Sequence, residues 1–467
     1  MKQYNKCNDR IIAELKRTVG EKNVITAKEM LIPYSQDEVT DERYHHLPEA
    51  AVFPQNREQV AEVVKLANKE NIPVTPRGAG TGLAAGAVPL YGGIVLSLEK
   101  MNRILEVNHE HLYMIVEPGV RTQDVQKAAA DAGLLYAGDP SSGDNCLIGG
   151  NIATNAGGNK AVKYGTTRQQ VYAIEVVTPA GEITELGGLL NKSTSGYSLE
   201  QLIIGSEGTL GIITQATIKL VPLKQYKLDL LAVFSDADAA IATVYKLIKA
   251  GVDPTSLEYM DNEAINVCAR YLKEVYPYQQ AGNYLIITIE TDTQEELDTK
   301  AGRIDEICNA NGAVAVLVPD AKRIWAARRA FGDANREECY IHSPEDMVVP
   351  VRQLPGAMKQ FMQICRNHQA VGRVVAHAGD GNVHLTIMQG DIAAEDWPVR
   401  IDEIINDLLA FTYSIGGRMS GEHGVGSKRK KWMHKFADPI QLKMMQAIKA
   451  ALDPNGILNP GTIFDLE

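Results

Sequence analysis

The glycine-rich stretch "PRGAGTGLAAG", residues 76–86, decides the fold of this chain. It follows a helical pattern and the short strand-like segment "IPVT". Because glycine has no Cβ, such a loop lets backbone N–H groups approach a pyrophosphate closely. The stretch does not match the Rossmann fingerprint GxGxxG, since Leu83 or Ala85 stands where the third glycine is required. Taken alone, it is compatible with a phosphate-binding loop or with a tight surface turn.

Two further glycine-rich stretches follow the first. "GDPSSGDNCLIGGNIATNAGGNKAVKYG" spans residues 138–165, and "GSEGTLGII" spans residues 205–213. Three separate loops of this kind in the first half of the chain are better explained by convergence on one extended ligand than by ordinary turns. We therefore predict that the three stretches form one binding site.

Helix and strand patterns alternate around these loops. Asn56, with Gln59 three residues later, predicts a capping box at the start of a helix, and Thr122 predicts the N-cap of a second helix. The segment "LGIITQATIKLVP" alternates so that Ile212 and Ile218 fall on one face and Gln215 on the other. This alternation predicts a strand with one buried and one exposed face.

The composition and pattern of the chain change after Pro222, where glycines become rarer and longer helical patterns begin. Strand-like runs at 228–234, 284–290 and 312–318 are separated by helical patterns at 236–250 and 294–310. This order predicts an α+β domain built on an antiparallel sheet. Glycines return beyond about residue 415, so we place domain boundaries near 225 and 415.

Composition excludes several classes of protein. The chain has 467 residues, of which 45% are hydrophobic and 22% are charged, as in ordinary globular proteins. A net charge of -11 argues against nucleic-acid binding and against attraction to anionic membranes. No apolar run suggests a transmembrane helix or a secretory signal, and the six cysteines form no CxxC pair. We expect a cytoplasmic protein with reduced thiols.

Two stretches carry histidines between glycines, "HAGDGNVHL" at 377–385 and "GEHGVG" at 421–426. The first is too polar for a core strand and too rich in glycine for a helix, so we expect a loop. Imidazole and carboxylate groups together are good ligands for a divalent transition metal. His377, His384 and Glu422 could form such a set, or the histidines could be hydrogen-bonded loop residues.

The three glycine-rich stretches, in this order and at this spacing, resemble the FAD-binding domain of the vanillyl-alcohol-oxidase type. With the carboxy-terminal half included, the chain resembles D-lactate dehydrogenases and the flavin subunit of glycolate oxidase. The resemblance implies an α+β fold. A FAD-binding domain would span 1–224, with an extension at 1–45, and a cap domain on an antiparallel sheet would span 225–414. A segment at 415–467 would return to the flavin site.

The resemblance also implies which residues contact FAD. They are Arg77, Gly78, Ala79, Gly80, Thr81, Gly82, Leu83, Pro140, Ser141, Ser142, Gly149, Gly150, Asn151, Thr154, Asn155, Gly157, Gly158, Glu207, Gly208, Gly211, Ile212 and Asn459. Some relatives attach the flavin through a histidine or cysteine. Residues 77–86 contain neither, so we expect FAD to be bound non-covalently.

For the second half, the resemblance implies that His377, His384 and Glu422 bind a divalent metal, zinc or iron. It further implies that His423 is the catalytic base and that Arg328 binds the substrate carboxylate, for which the bidentate guanidinium is suited. From the residues alone, Arg328 could equally be a surface arginine on a helix.

The resemblance also bears on the substrate, a small 2-hydroxy acid. In 2-hydroxyglutarate dehydrogenases a threonine and a lysine help to hold a distal carboxylate, whereas this chain has Gly332 and "HSPEDMVVP" in those places. A monocarboxylate is therefore favoured, D-lactate first and glycolate next, with 2-hydroxyglutarate as an alternative.

Other functions share parts of this pattern. A non-redox transferase like alkyl-glycerone-phosphate synthase has the same fold, and a metal hydrolase could use the histidine and glutamate set alone. The sequence has no nicotinamide fingerprint, iron–sulfur motif or membrane segment, so the flavin must be reoxidised by oxygen, a quinone-linked partner or another protein. Of these, we expect a protein electron acceptor, such as an electron-transfer flavoprotein.

Overall fold

Short strands and helices alternate along the chain in the computed structural model, which describes residues 3–466. The strands are β1 Val24–Ile25, β2 Ala50–Val52, β3 Val74–Arg77, β4 Ile94–Ser97, β5 Ile104–Asn108, β6 Tyr113–Val116, β7 Leu134–Leu135, β8 Val171–Val177, β9 Ile183–Gly187, β10 Ile212–Lys219, β11 Val221–Pro222, β12 Tyr226–Phe234, β13 Ser256–Met260, β14 Asn283–Thr291, β15 Ala313–Leu317, β16 His342–Val348, β17 Val371–His377 and β18 Asn382–Met388. The helices are α1 Asp9–Val19, α2 Lys28–Leu31, α3 Arg57–Lys69, α4 Thr122–Asp131, α5 Ile148–Thr154, α6 Ala161–Tyr164, α7 Leu199–Ile203, α8 Ala237–Lys249, α9 Asn262–Leu272, α10 Gln294–Ala310, α11 Ala321–Arg329, α12 Phe331–Glu338, α13 Leu354–Asn367, α14 Trp397–Ser414, α15 Lys430–Phe436 and α16 Pro439–Leu452.

The chain divides into two compact units. The first comprises Met1–Gly157, Thr166–Leu223 and His423–Glu467, and the second comprises Gly158–Gly165 and Lys224–Glu422. The chain therefore enters the second unit briefly at α6, and it returns to the first unit between Glu422 and His423.

The first unit contains two main sheets. In the order β1-β2-β4-β3, strands β2, β4 and β3 run parallel and β1 pairs antiparallel with β2. The second sheet, β5-β6-β10-β8-β9, is antiparallel. Helix α3 buries Val60, Val63, Val64 and Ala67 against Ile94 and Leu96 of β4 and neighbouring apolar residues.

The second unit is built on a seven-stranded antiparallel sheet in the order β15-β12-β14-β13-β17-β18-β16. Helices α9, α11 and α12 cover one face, where Ile265, Ile324 and Phe331 pack against Met260 and Val375. Helices α8, α10 and α13 also pack on this sheet. The α+β class and the antiparallel sheet predicted for the cap domain are confirmed.

Local signals in the sequence have mixed outcomes. Asn56 caps α3 as predicted, since its side chain accepts the Gln59 N–H at 2.9 Å. Thr122 does not cap α4: its hydroxyl lies 3.2 Å from Cys146 Sγ and accepts from Asn151 Nδ2, and Arg121 precedes the helix without a side-chain cap.

The prediction of one exposed face for β10 is wrong. Ile212 is buried in one apolar cluster and Ile213 in another, and Thr217 is also buried. Ile218 lies in the same cluster as Ile213 and not with Ile212, because the pairing of β10 with β8 shifts register between Ile213 and Gln215, and no residue of the strand is exposed. No helix within residues 3–466 is long and apolar enough to span a membrane.

Candidate active site

The three glycine-rich stretches meet in the first unit. A Cβ built on Gly78 would lie 3.7 Å from Gly150 Cα, which places the first loop against the second. The third loop joins the second through two backbone hydrogen bonds, from Gly205 N to Ile152 O at 3.1 Å and from Glu207 N to Ala153 O at 2.7 Å. The chain thus brings together three segments that are far apart in sequence.

Asn459, from the carboxy-terminal segment, completes this junction. Its Nδ2 donates to Gly86 O at 2.8 Å and to Glu207 O at 2.7 Å. Its Oδ1 is buried without a hydrogen-bond partner, and so is Ser206 Oγ. Buried polar atoms in proteins are nearly always satisfied, so two orphaned oxygens at a junction of glycine-rich loops fit a polar cofactor such as FAD.

Several residues predicted to contact FAD have side chains that bond within the protein. Arg77 is buried and donates to Pro33 O and Ala87 O, each at 3.0 Å. Asn151 donates to Thr122, and Asn155 Oδ1 accepts the Arg168 N–H at 2.9 Å. The side chains of these three residues stabilise the loops through hydrogen bonds within the protein. The backbone N–H groups of the loops are then the groups available to a cofactor. Ser141 is exposed and Ser142 is half-buried.

Glu207 also directs its side chain into the protein. The buried carboxylate accepts the N–H groups of Val425 at 2.7 Å and Gly426 at 2.8 Å. Burial raises the pKa of Glu207, and these two hydrogen bonds oppose that rise. Glu207 therefore holds the segment that begins at His423 against the glycine-rich loops.

The motif at 377–385 is a β-hairpin in the second unit, so the expectation of a loop is wrong. His377 ends β17, residues 378–381 form the turn, and His384 lies within β18. The glycines are confined to the turn, where Gly381 has a φ of +84°. Its N–H donates to His377 O at 3.1 Å. The polar side chains lie on a buried face, where partners from neighbouring strands satisfy them.

A row of polar side chains crosses this face of the sheet. Glu258 on β13 pairs with His377, His377 pairs with Asn382, and His384 pairs with Asp346 on β16. Residues directly opposite in antiparallel strands project from the same face, so all five side chains lie on one face of the sheet in a row across four strands. The two imidazole rings lie edge to face, with centroids 4.9 Å apart.

Glu422 closes the cluster. Its Oε1 lies 3.3 Å from His377 Nε2 and 3.1 Å from His384 Nε2. One nitrogen from each histidine and one carboxylate oxygen thus lie within 4.8 Å of one another. The structure therefore brings together the three predicted ligands, and two imidazoles with one carboxylate form a donor set that suits zinc or non-haem iron.

Asp346 fixes Glu422 through the backbone. The Asp346 side chain is fully buried, and its Oδ2 accepts Ser420 Oγ–H at 2.8 Å and the N–H groups of Gly421 and Glu422, each at 3.1 Å. Its Oδ1 accepts Asn382 Nδ2–H at 2.6 Å. The turn that presents Glu422 is therefore tied to the hairpin that presents the histidines.

The protonation equilibria of the cluster reflect its charges. Burial would lower the pKa of His377, but the carboxylates of Glu258 and Glu422 raise it well above its usual value. Burial would raise the pKa of Glu422, but the imidazoles of His377 and His384 hold it well below its usual range. A cation bound by these atoms would replace the proton held by His377.

Arg328 lies at the opposite end of the polar row, on α11, and it is 5% exposed. Its Nε donates to Glu258 Oε2 at 2.9 Å, and its Nη2 lies 2.9 Å from the same oxygen. The surface-arginine interpretation is excluded by this burial. Its proposed contact with substrate stays a prediction.

Sequence reasoning missed Glu258 and Asp346. Both lie on strands that are distant in sequence from the histidines, and only strand pairing brings them into the row. Asn382 lies inside the quoted motif, and the sequence could have singled it out as the residue opposite His377 if the hairpin had been recognised. His423 follows Glu422 directly, but it belongs to the first compact unit.

Comparisons with known proteins agree with this architecture. Residues 48–187 match the FAD binding domain family, and residues 223–463 match the family described as FAD linked oxidases, C-terminal domain. The chain is 36% identical to D-lactate dehydrogenase of Anaerostipes hadrus, over 99% of this chain and 98% of that protein. It is 35% identical to glycolate oxidase subunit GlcD of Bacillus subtilis, over 97% and 96% of the two chains.

Among solved structures, p-cresol methylhydroxylase with substrate bound has the same fold, with a TM-score of 0.81 at 20% identity. The match covers 98% of this chain and 97% of that one. The vanillyl-alcohol-oxidase type of fold predicted from the glycine-rich loops is thereby confirmed. The chain belongs to the family of FAD-linked oxidoreductases that includes D-lactate dehydrogenase and the glycolate oxidase subunit GlcD.

Proposed function

We propose that the protein is a FAD-dependent dehydrogenase that oxidises a small 2-hydroxy acid, D-lactate first and glycolate next, to the 2-oxo acid. The observation that carries this proposal is that Glu422 Oε1 lies 3.3 Å from His377 Nε2 and 3.1 Å from His384 Nε2. In a chain of this family, such a set suits a substrate whose adjacent hydroxyl and carboxylate oxygens can both bind a cation.

His377, His384 and Glu422 would hold a divalent metal, zinc or iron. Such an ion would orient the substrate and lower the pKa of its hydroxyl group, as metals do for bound water. The buried row around the ligands supports this role, because partners outside the ligand set commonly fix ligand orientation in metal sites.

Two residues of the chain act on the substrate in this proposal. His423 accepts the hydroxyl proton as general base. Arg328 binds the substrate carboxylate, while Glu258 keeps its guanidinium oriented. FAD supplies the acceptor for the hydride that leaves the hydroxyl-bearing carbon. One proton and one hydride are thus removed for each 2-oxo acid formed.

Gly332 supports a small substrate. It lies four residues after Arg328 near the start of α12, and a Cβ built there would meet no atom within 4 Å. The chain provides no side chain at this position to hold a second carboxylate. A monocarboxylate is therefore preferred over 2-hydroxyglutarate.

The remaining parts of the proposal concern FAD and its reoxidation. FAD is bound non-covalently, and its electrons pass to a protein acceptor such as an electron-transfer flavoprotein, in the cytoplasm. Support comes from the absence of histidine and cysteine from residues 77–86, and of any nicotinamide or iron–sulfur motif from the sequence.

Anaerobic reduction of the flavin by a panel of acids tests this function. The purified protein is mixed with D-lactate, L-lactate, glycolate or D-2-hydroxyglutarate, and loss of the oxidised flavin absorbance is followed. We expect D-lactate to bleach the flavin fastest and glycolate next. Bleaching by D-2-hydroxyglutarate alone would reassign the substrate. A flavin that no 2-hydroxy acid reduces would favour a non-redox transferase, and a purified protein without flavin would favour a hydrolase.

A further inference from the structure

We infer that Glu258 is a positioning residue that sets the geometry of His377 and Arg328 together. This inference rests on the proposed function and adds a residue to it. The Glu258 side chain is 1% exposed, and each carboxylate oxygen serves a different partner. Oε1 lies 2.8 Å from His377 Nδ1, and Oε2 lies 2.9 Å from Arg328 Nε.

The contact with His377 determines which ring nitrogen is available. A neutral imidazole carries its proton on one nitrogen and a lone pair on the other. Because a carboxylate only accepts hydrogen bonds, Glu258 Oε1 keeps the proton on Nδ1 of neutral His377. The lone pair is then on Nε2, which is the atom that faces Glu422 Oε1. Glu258 thereby prepares His377 to act as a ligand.

The contact with Arg328 determines where that guanidinium can lie. A buried arginine needs a paired carboxylate, because an isolated buried charge is strongly disfavoured. Glu258 Oε2 accepts the Nε–H of Arg328 at 2.9 Å and lies 2.9 Å from Nη2, which makes no hydrogen bond, so one edge of the guanidinium is held against the carboxylate. The third nitrogen, Nη1, takes no part in this contact.

Since one carboxylate holds both partners, changing it should affect metal binding and substrate binding at once. Glu258→Gln keeps the size of the side chain but offers one accepting oxygen and one NH₂ group. If the oxygen faces Arg328, the NH₂ group forces His377 Nδ1 to accept, and the proton of the ring moves to Nε2. If the oxygen faces His377, the NH₂ group opposes the Arg328 N–H donors.

The test measures two quantities on the full-length protein with FAD bound. Zinc affinity is obtained by competition with a chromogenic chelator, and KM and kcat for D-lactate are obtained with an artificial electron acceptor. For Glu258→Gln we expect zinc affinity to fall about 10- to 100-fold, with a rise in KM. Glu258→Asp keeps the charge on a shorter side chain, and we expect smaller changes in both quantities.

Asp261→Asn is the matched control. Asp261 is a buried carboxylate just beyond the end of β13, and it accepts the N–H groups of Ala264 at 2.7 Å and Val374 at 3.0 Å. Its loss should affect stability and leave zinc affinity and KM unchanged. Equal losses of zinc affinity in Glu258→Gln and Asp261→Asn would show a merely structural role for Glu258.

The unsubstituted protein separates failure of this inference from failure of the proposed function. If it binds zinc and is reduced by D-lactate while Glu258→Gln behaves identically, the positioning role is wrong and the function stands. If Glu258→Gln does not fold, Glu258→Asp with unaltered zinc affinity and unaltered KM would overturn the inference. If the unsubstituted protein neither binds zinc nor is reduced by any 2-hydroxy acid, the function itself fails.

Discussion

At the scale of single residues, Glu422 and His423 are consecutive but belong to different compact units. The Glu422 carboxylate lies between His377 and His384 in the second compact unit, whereas His423 begins the return to the first unit. Two residues in sequence can therefore have separate tasks, and single substitutions can distinguish these tasks.

We expect Glu422→Gln to lose metal and activity together, because a neutral amide is a poorer ligand than a carboxylate. His423→Asn should keep both metal and FAD but slow flavin reduction by about 10²- to 10⁴-fold, the usual effect of removing a general base. Elemental analysis and single-turnover flavin bleaching provide the measurements. Equal metal loss in the two variants would show that the roles are wrongly assigned.

The mode of FAD attachment is a second prediction at this scale. Cys146 is the one cysteine in the stretch 138–165, and its Sγ is buried beside the Thr122 hydroxyl at 3.2 Å. We expect acid denaturation to release all the flavin into the supernatant. Flavin fluorescence that stays with the precipitated chain would contradict non-covalent binding.

The sequence could identify the three candidate ligands because their types and spacing are distinctive. It could not identify Glu258 or Asp346, since a carboxylate in a strand has no local pattern that reveals its partner. The sequence could not predict that Arg328 is buried, because two adjacent arginines, Arg328 and Arg329, are typical of an exposed helix face.

At the scale of elements, the β17–β18 hairpin depends on a close contact at its turn. A Cβ on Gly379 would lie 2.6 Å from Val162 Cγ2 and 3.2 Å from Leu257 Cβ. We expect Gly379→Ala to destabilise the protein by about 1–3 kcal/mol and to weaken metal binding, because the turn joins His377 to β18. Chemical denaturation and zinc competition provide the measurements.

Val162→Ala provides the partner variant, since it removes the methyl group nearest to the added Cβ. The double variant Gly379→Ala/Val162→Ala should recover part of the stability lost by Gly379→Ala alone, and Val162→Ala alone supplies the fourth corner of the cycle. Strictly additive losses would show that the contact is not the cause.

A sequence pattern predicted an element correctly where the interactions that form the element are between residues close in sequence. The cap at Asn56 forms because its partner, the Gln59 N–H, is three residues away. The cap at Thr122 fails because Cys146 and Asn151, from the following glycine-rich stretch, engage its hydroxyl. The hairpin was missed because its polar residues are satisfied by other strands, which makes a polar sequence compatible with a buried strand.

At the scale of the whole molecule, stability should depend on pH through Asp261. Burial raises the pKa of Asp261 to about 7, although the Ala264 and Val374 N–H groups lower it. Because the pKa is higher in the folded state, the stability linked to the protonated group is complete at low pH and is lost as the pH rises through about 7.

Unfolding by denaturant should therefore show a loss of roughly 2 kcal/mol between about pH 5 and about pH 8 that Asp261→Asn lacks, because its amide does not titrate. A pH dependence that is the same in both proteins would contradict this account of Asp261.

The sequence predicts a glycine-rich part followed by a domain built on an antiparallel sheet, because the two parts of the chain differ in glycine content and in their helix and strand patterns. It does not predict that residues 158–165 belong to the second unit, since that depends on packing such as the contact of Val162 with Gly379. A glycine-rich stretch that seemed to be one loop thus contributes to both units.

The central claim is that the cluster of His377, His384 and Glu422 holds a metal on which oxidation of the 2-hydroxy acid depends. Its most direct test is anaerobic single-turnover reduction of the bound flavin by D-lactate, in protein that is metal-loaded, stripped by a chelator, and reloaded with zinc or iron. We expect stripping to retain FAD but to slow flavin reduction by at least about 10²-fold, and reloading to restore the rate. Equally fast reduction in verified metal-free protein would contradict the claim.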